Sequence, residues 1–241
     1  MLELTNLNKT YGNSFKAVDN LNIKVGKGMI AGFVGENGAG KTTTIKMMTG
    51  ILKPDSGNII INSVNLLNDP IMAKKSIAYV ADNPDMFLRL KGMEYLQLMA
   101  DIYEVSSVKR EERIRLLSER FDMYDSLSYH MSDYSHGMRQ KLMIIAALLH
   151  EPPVWILDEP MTGLDPRSAF ELKKMMKEHA ASGNCVFFST HVLEVAEELC
   201  DVIFIIRKGK LVFSGSLSEL RSRFPEKSLE EIFIILNTTE V

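Results

Sequence analysis

The sequence predicts an α/β fold around a mostly parallel sheet, interrupted by an inserted helical subdomain. Three observations carry this. A fully apolar run, Met29-Ile30-Ala31-Gly32-Phe33-Val34, passes directly into glycines and then into a helical stretch. In the C-terminal half, apolar runs of strand length alternate with helical periods. Between these regions, residues 88–149 show helical spacing and no strong strand signal. Runs that are apolar on both faces suit strands covered by helices, and strand–helix alternation implies parallel pairing.

The elements follow in order. Apolar residues alternate at Ile23 and Val25 and then run together over 29–34, a strand buried on both faces. Residues 41–48 hold no breaker before Gly50, which predicts a helix closed by a glycine cap. Pro54-Asp55-Ser56-Gly57 is a turn, and 58–61 and 77–80 are short strands. Tyr95, Leu96, Met99, Ile102 and Tyr103 recur at helical spacing. Over 109–120 both signs of charge surround Ile114, Leu116 and Leu117, the pattern of a solvated amphipathic helix and not of a binding patch. The alternation resumes with Val154-Trp155-Ile156-Leu157, a helix over 168–181, a strand over 185–189, a helix over 192–199 and a strand over 202–206. Lys208-Gly209 turns into Leu211-Val212-Phe213, and a short helix over 229–236 follows Pro225. The expected organisation is one domain over 1–241: a core of 1–87 and 150–215, a helical subdomain of 88–149, and a tail of 216–241.

Composition narrows the function. The 241 residues carry 28 Lys+Arg against 31 Asp+Glu, a net charge of −3, which argues against nucleic-acid binding by bulk charge. At 46% hydrophobic the chain can build a large core and is not disordered. Its longest apolar stretch, 142–149, falls far short of the roughly 20 residues that span a bilayer. The N-terminal segment has no basic stretch leading into an apolar one, so no signal peptide is expected. Cys185 and Cys200 are too far apart for a metal or redox pair, and a reduced, cytoplasmic setting is expected.

Two motifs carry chemistry. Gly35-Glu36-Asn37-Gly38-Ala39-Gly40-Lys41-Thr42, followed by Thr43, fits G-x-x-x-x-G-K-[ST] between a buried strand and a helix. Such glycines let backbone N–H groups turn toward phosphate oxygens, and the helix N-terminus adds positive partial charge. Lys41 would reach the β- and γ-phosphates, and the Thr42 hydroxyl would hold Mg²⁺. Downstream, the apolar run 154–157 delivers Asp158 and Glu159 to a strand's C-terminal end, where ligands of open α/β sheets collect. Asp158 is expected to complete the Mg²⁺ shell, and Glu159 to polarise the attacking water as general base. A solvated acidic pair capping the strand before Pro160 is the plainer reading of those two residues alone.

Tyr134-Ser135-His136-Gly137-Met138-Arg139-Gln140-Lys141, followed after a helix by Trp155-Ile156-Leu157-Asp158-Glu159-Pro160, resembles the signature and second nucleotide motifs of ATP-binding cassette ATPases. The likeness runs from Tyr11-Gly12 through Gly163-Leu164-Asp165 and Ser189-Thr190-His191 to Gly215. It implies a P-loop NTPase core with antiparallel N-terminal strands. By the same resemblance, Tyr11 stacks on adenine, although a lone aromatic before a glycine also suits a packed turn. Ser135 and Gly137 bind the γ-phosphate of an ATP held by the other subunit, and His136 stands where the family often has glycine. Asp165 lies in the loop linking the two sites, and His191 is the switch histidine that orients Glu159. In Ala81-Asp82 the sequence departs from the family's Pro-Gln, so Asp82 takes the place of a metal-contacting glutamine as a shorter, charged group.

The resemblance implies an ATP-hydrolysing subunit, with ATP and Mg²⁺ as cofactors, that powers export through separately encoded transmembrane permease subunits. It would dimerise with itself or a related cassette when ATP-bound, and lie peripherally on the inner face of the cell membrane. The segment Asp85-Met86-Phe87-Leu88 presents apolar side chains where the family receives its membrane partner, while packing into the helical subdomain serves equally well. The alternatives are an importer ATPase and a soluble, non-transport cassette.

Overall fold

The computed structural model describes residues 1–12 and 14–238. Two sheets organise them. An antiparallel sheet contains β1 (Leu2–Tyr11), β2 (Phe15–Val25), β4 (Ser56–Ile61) and β5 (Val64–Asn65), in the order β2-β1-β4-β5. The second sheet contains β3 (Ile30–Val34), β6 (Ile77–Val80), β7 (Val154–Leu157), β8 (Cys185–Thr190), β9 (Val202–Arg207) and β10 (Lys210–Gly215), in the order β10-β9-β3-β8-β7-β6. All its neighbours run parallel except the β9–β10 hairpin. The mixed α/β architecture with antiparallel and parallel sheets is the one the sequence predicts.

Helices cover the parallel sheet. They are α1 (Lys41–Met48), α2 (Pro70–Lys75), α3 (Gly92–Ile102), α4 (Ser107–Arg120), α5 (His136–Leu148), α6 (Pro166–Ala181), α7 (Leu193–Leu199), α8 (Leu217–Arg223) and α9 (Leu229–Thr238). The two-residue period of β7 sorts its side chains to opposite faces. Val154 and Ile156 join Phe33 and Phe187 in a core shared with α1 and the antiparallel sheet. Trp155 and Leu157 face the other way, into a core with Tyr95, Leu96, Ile144, Leu172 and Phe188. That second core is continuous between the sheet, α3, α5 and α6, so the helices of 88–149 rest on the sheet instead of closing a core of their own. A third cluster joins Val34, Ile203 and Ile205 to α7, α8 and α9 through Leu193, Leu220 and Ile232.

Four of these elements lie outside the reading of the sequence: β1, β5, α2 and α8. In β1 the register shifts repeatedly against β2, and Asn6 has φ 49°. The helices over 41–48, 192–199 and 229–236 fall within about a residue or two of α1, α7 and α9, and the 168–181 helix begins earlier, at Pro166. Gly50, at φ 68°, closes α1 in the left-handed conformation that a glycine adopts without strain.

Candidate active site

The site is built at the C-terminal ends of β3, β7 and β8. Those three strands are adjacent and parallel, so the chain leaves each of them on the same edge of the sheet. β3 gives way to the loop 35–40 and then to α1, whose N-terminus has no side-chain cap because Gly40 has no side chain to offer. The first N–H groups of a helix have no partner within it, so here they are left for a ligand. Two glycines in this loop are required by the geometry. Gly40 has φ 111°, and a Cβ there would sit 2.4 Å from the carbonyl oxygen of Ala17. A Cβ on Gly35 would sit 2.6 Å from the carbonyl of Ile206. The β9–β10 turn braces the loop from outside, with Gly209 N–H donating to Ala39 O at 2.9 Å.

Lys41 is buried and directs its ammonium back over the loop. Nζ donates to Gly35 O at 2.6 Å and to Glu36 O at 3.3 Å, and lies 3.4 Å from Glu159 Oε1. The other carboxylate oxygen of Glu159, Oε2, lies 2.9 Å from His191 Nδ1. Lys41, Glu159 and His191 therefore form one polar chain, drawn from α1, the end of β7 and the end of β8. Glu159 has φ 47°, an uncommon conformation for a residue with a Cβ.

Asp158 is fully buried. Oδ1 accepts from Ser189 Oγ at 2.5 Å, whereas Oδ2 has no hydrogen-bond partner. Burial pushes the carboxyl up; the Ser189 and Thr42 hydroxyls oppose this, and the charges of Asp82 and Glu159 add to it. An orphaned, buried carboxylate oxygen beside a threonine hydroxyl suits a hard cation with oxygen ligands, so Thr42 and Asp158 fit Mg²⁺. Asp82 is exposed. Among the described residues no three acidic, His or Cys side chains converge on a single metal position.

These groups open onto a cleft of about 270 Å³ lined by Asn37, Gly38, Gly40, Lys41, Thr42, Thr43, Asp82 and Glu159. Ala39 is buried beneath the loop. Tyr11 does not line the cleft. Phe15, its partner across the β1–β2 hairpin, does, with 60% of its surface exposed. The sequence reading missed Phe15, and its one signal was an aromatic close after Tyr11-Gly12.

Ser135 and Gly137 are not among the residues lining this cleft either. Ser135 caps α5, its hydroxyl accepting from Met138 N–H at 3.2 Å, so the signature segment forms a separate, exposed helix N-terminus. It is fastened to the loop that follows Glu159. A Cβ on Gly137 would lie 2.6 Å from Gly163 O, and one on Gly163 would lie 2.3 Å from the His136 ring. Gln140 Nε2 donates to Pro160 O at 3.4 Å, and Lys141 Nζ lies 2.9 Å from Asp165 Oδ2. Asp165 also caps α6 through Ser168, and those bonds, with Lys141, hold its carboxyl far below the usual range.

Residues 18–162 match the family described as ABC transporter. The chain is 36% identical to the ABC-type transporter ATP-binding protein EcsA of Bacillus subtilis, over 90% of this chain and 89% of that one. It is 33% identical to the daunorubicin resistance ATP-binding protein DrrA3 of Streptomyces coeruleorubidus, over 89% of this chain and 67% of that one. A solved structure described as an ATP binding subunit of an ABC transporter superposes with a TM-score of 0.93 at 35% identity, covering 98% of this chain and 99% of the other. The dimeric bacterial ABC transporter cassette MJ0796 shares the fold, with a TM-score of 0.81 at 23% identity over 90% of this chain and 99% of that one. This chain belongs to the ABC transporter family, as an ATP-binding subunit and an ATPase.

Proposed function

We propose that this ATPase powers export, working as an ATP-bound, head-to-tail dimer beneath membrane-spanning partners. The observation that carries the chemistry is the polar chain Lys41–Glu159–His191 beside the orphaned oxygen of Asp158. The phosphates of ATP enter over the loop 35–40 and take Lys41 from its carbonyl and carboxylate partners. Backbone N–H groups of the loop and of Thr42 and Thr43 receive the phosphate oxygens. Freed from Lys41, Glu159 accepts a proton from the attacking water while His191 Nδ1 holds its other oxygen in place. Mg²⁺ supplies charge neutralisation at the β- and γ-phosphates, and Thr42, Asp158 and Asp82 are the groups that would hold it. Phe15, at the rim of the cleft, gives the adenine ring an aromatic surface.

Ser135 and Gly137 lie outside the Lys41 cleft, so they serve the site of a second subunit. The N-terminal dipole of α5 and the Ser135 hydroxyl suit a γ-phosphate there. No helix among the described residues is long and apolar enough to cross a membrane, so the translocation path belongs to partners. Met86 and Phe87 are 44% and 49% exposed, and Asp85 is tied to Arg139 on α5 at 2.6 Å. This segment is a docking surface wired to the signature helix.

Export is favoured over import by the relative named for daunorubicin resistance. The test uses membranes that contain the chain with its co-purifying partners. Inside-out vesicles should accumulate a fluorescent anthracycline on addition of Mg-ATP, and Lys41→Ala should abolish this. Accumulation of solute in right-side-out vesicles loaded with ATP, dependent on Lys41, would establish an importer instead.

A further inference from the structure

Ser189 is fully buried at the end of β8, and the family motifs give it no part in the reaction. Its position follows from strand register. Leu157 on β7 pairs with Phe188 on β8, so the next residues, Asp158 just past β7 and Ser189 still on β8, lie side by side. The Ser189 hydroxyl makes two bonds there. Oγ accepts from the Glu159 N–H at 2.9 Å, and donates to Asp158 Oδ1 at 2.5 Å. The direction is fixed by chemistry: a peptide N–H only donates, so Oγ accepts from it and its single proton goes to the carboxylate.

We infer that Ser189 is the positioning residue that assigns the neighbouring carboxylates their separate jobs. By occupying Oδ1, it leaves Oδ2 as the one unpaired, buried oxygen of Asp158. By holding the Glu159 N–H, it secures the left-handed turn at φ 47° that carries Glu159 out of line with β7, to Lys41 and His191. A single hydroxyl thus sets both the cation-facing oxygen and the base. Ser189 lies two residues before His191 at the same strand end, so these two partners of Glu159 share one frame.

The inference rests on the roles proposed for Asp158 and Glu159. Threonine and valine have nearly the same shape and differ in the hydroxyl, so Ser189→Thr and Ser189→Val isolate it, and both fill the site if Ser189→Ala fails to fold. Ser189→Val is expected to lower kcat by about 10- to 100-fold and to weaken Mn²⁺ binding by a similar factor, the range for lost outer partners of metal ligands. Mn²⁺ binding is read by electron paramagnetic resonance with a non-hydrolysable ATP analogue. Metal-free ATP binding should stay at the wild-type level in both variants, and Ser189→Thr should keep the wild-type kcat and Mn²⁺ affinity. Equal behaviour of the two variants in kcat and Mn²⁺ affinity overturns the proposal. Asp158→Asn and Glu159→Gln separate the layers: if both keep full activity, the underlying roles fail. If both are defective while Ser189→Val is normal, only the role of Ser189 fails.

Discussion

Phe15 and Tyr11 face each other across the first hairpin, yet only Phe15 lines the cleft. Stacking of a base on an aromatic ring is worth about 1–3 kcal/mol. Phe15 is largely exposed, so the low end applies, and Phe15→Ala should raise the Kd for ATP by about fivefold. Tyr11→Ala should leave it nearly unchanged, and a fluorescent-ATP titration reads both. The reverse ranking would return the adenine contact to Tyr11. Residues of the phosphate loop were legible because their spacing is local and their chemistry is fixed by the backbone. Phe15 and Ser189 were not. One depends on which way a hairpin faces, the other on a register between strands about 30 residues apart in sequence, and neither leaves a local pattern.

Strands β3, β7 and β8 were readable as apolar runs, because both of their faces are covered. β1 was hidden by Asn6, Asn8, Lys9 and Thr10, polar residues on a bulged, half-solvated strand. α2 and α8 are too short for a period to show, although each carries a cap that was open to reading. Asp69 accepts from Met72 N–H ahead of Pro70, and Ser216 and Glu219 form a reciprocal capping box. Helix docking on the sheet also contains an acid-sensitive device. His150 stacks on Tyr103, just past α3, at 3.7 Å between centroids, and one ring nitrogen meets Ile77 O of β6 at 3.1 Å. His179 of α6 sets its ring edge-on to Trp155 of β7. Burial lowers each histidine to about 4, against 6.5 for the free side chain. A histidine depressed on folding takes up protons more readily when unfolded, so its stabilisation is complete above 6.5 and drains away as pH falls toward 4. Thermal melts should show Tm falling over that interval, and the double variant His150→Gln/His179→Gln should flatten the slope. An unchanged slope would show that neither ring titrates on unfolding.

At the scale of the molecule, the proposed dimer would join two sites that one chain does not complete. Glu159 lies in the Lys41 cleft, while the loop after it is fastened to α5 through Gly163, Pro160 and Asp165. In the proposed dimer, a shift at the base of one site would thereby pass to the Ser135 end of α5, which would serve the other. The core continuous between α3, α5 and the sheet holds α5 against the strands that end at the site. Dimerisation driven by ATP is the central consequence. Glu159→Gln keeps every phosphate contact and removes the base, so it should trap the assembled state. Light scattering behind a size-exclusion column, run with Glu159→Gln in saturating Mg-ATP, should give a dimer that reverts to monomer when Ser135→Arg is added. A Glu159→Gln protein that binds ATP fully and stays monomeric contradicts the shared site.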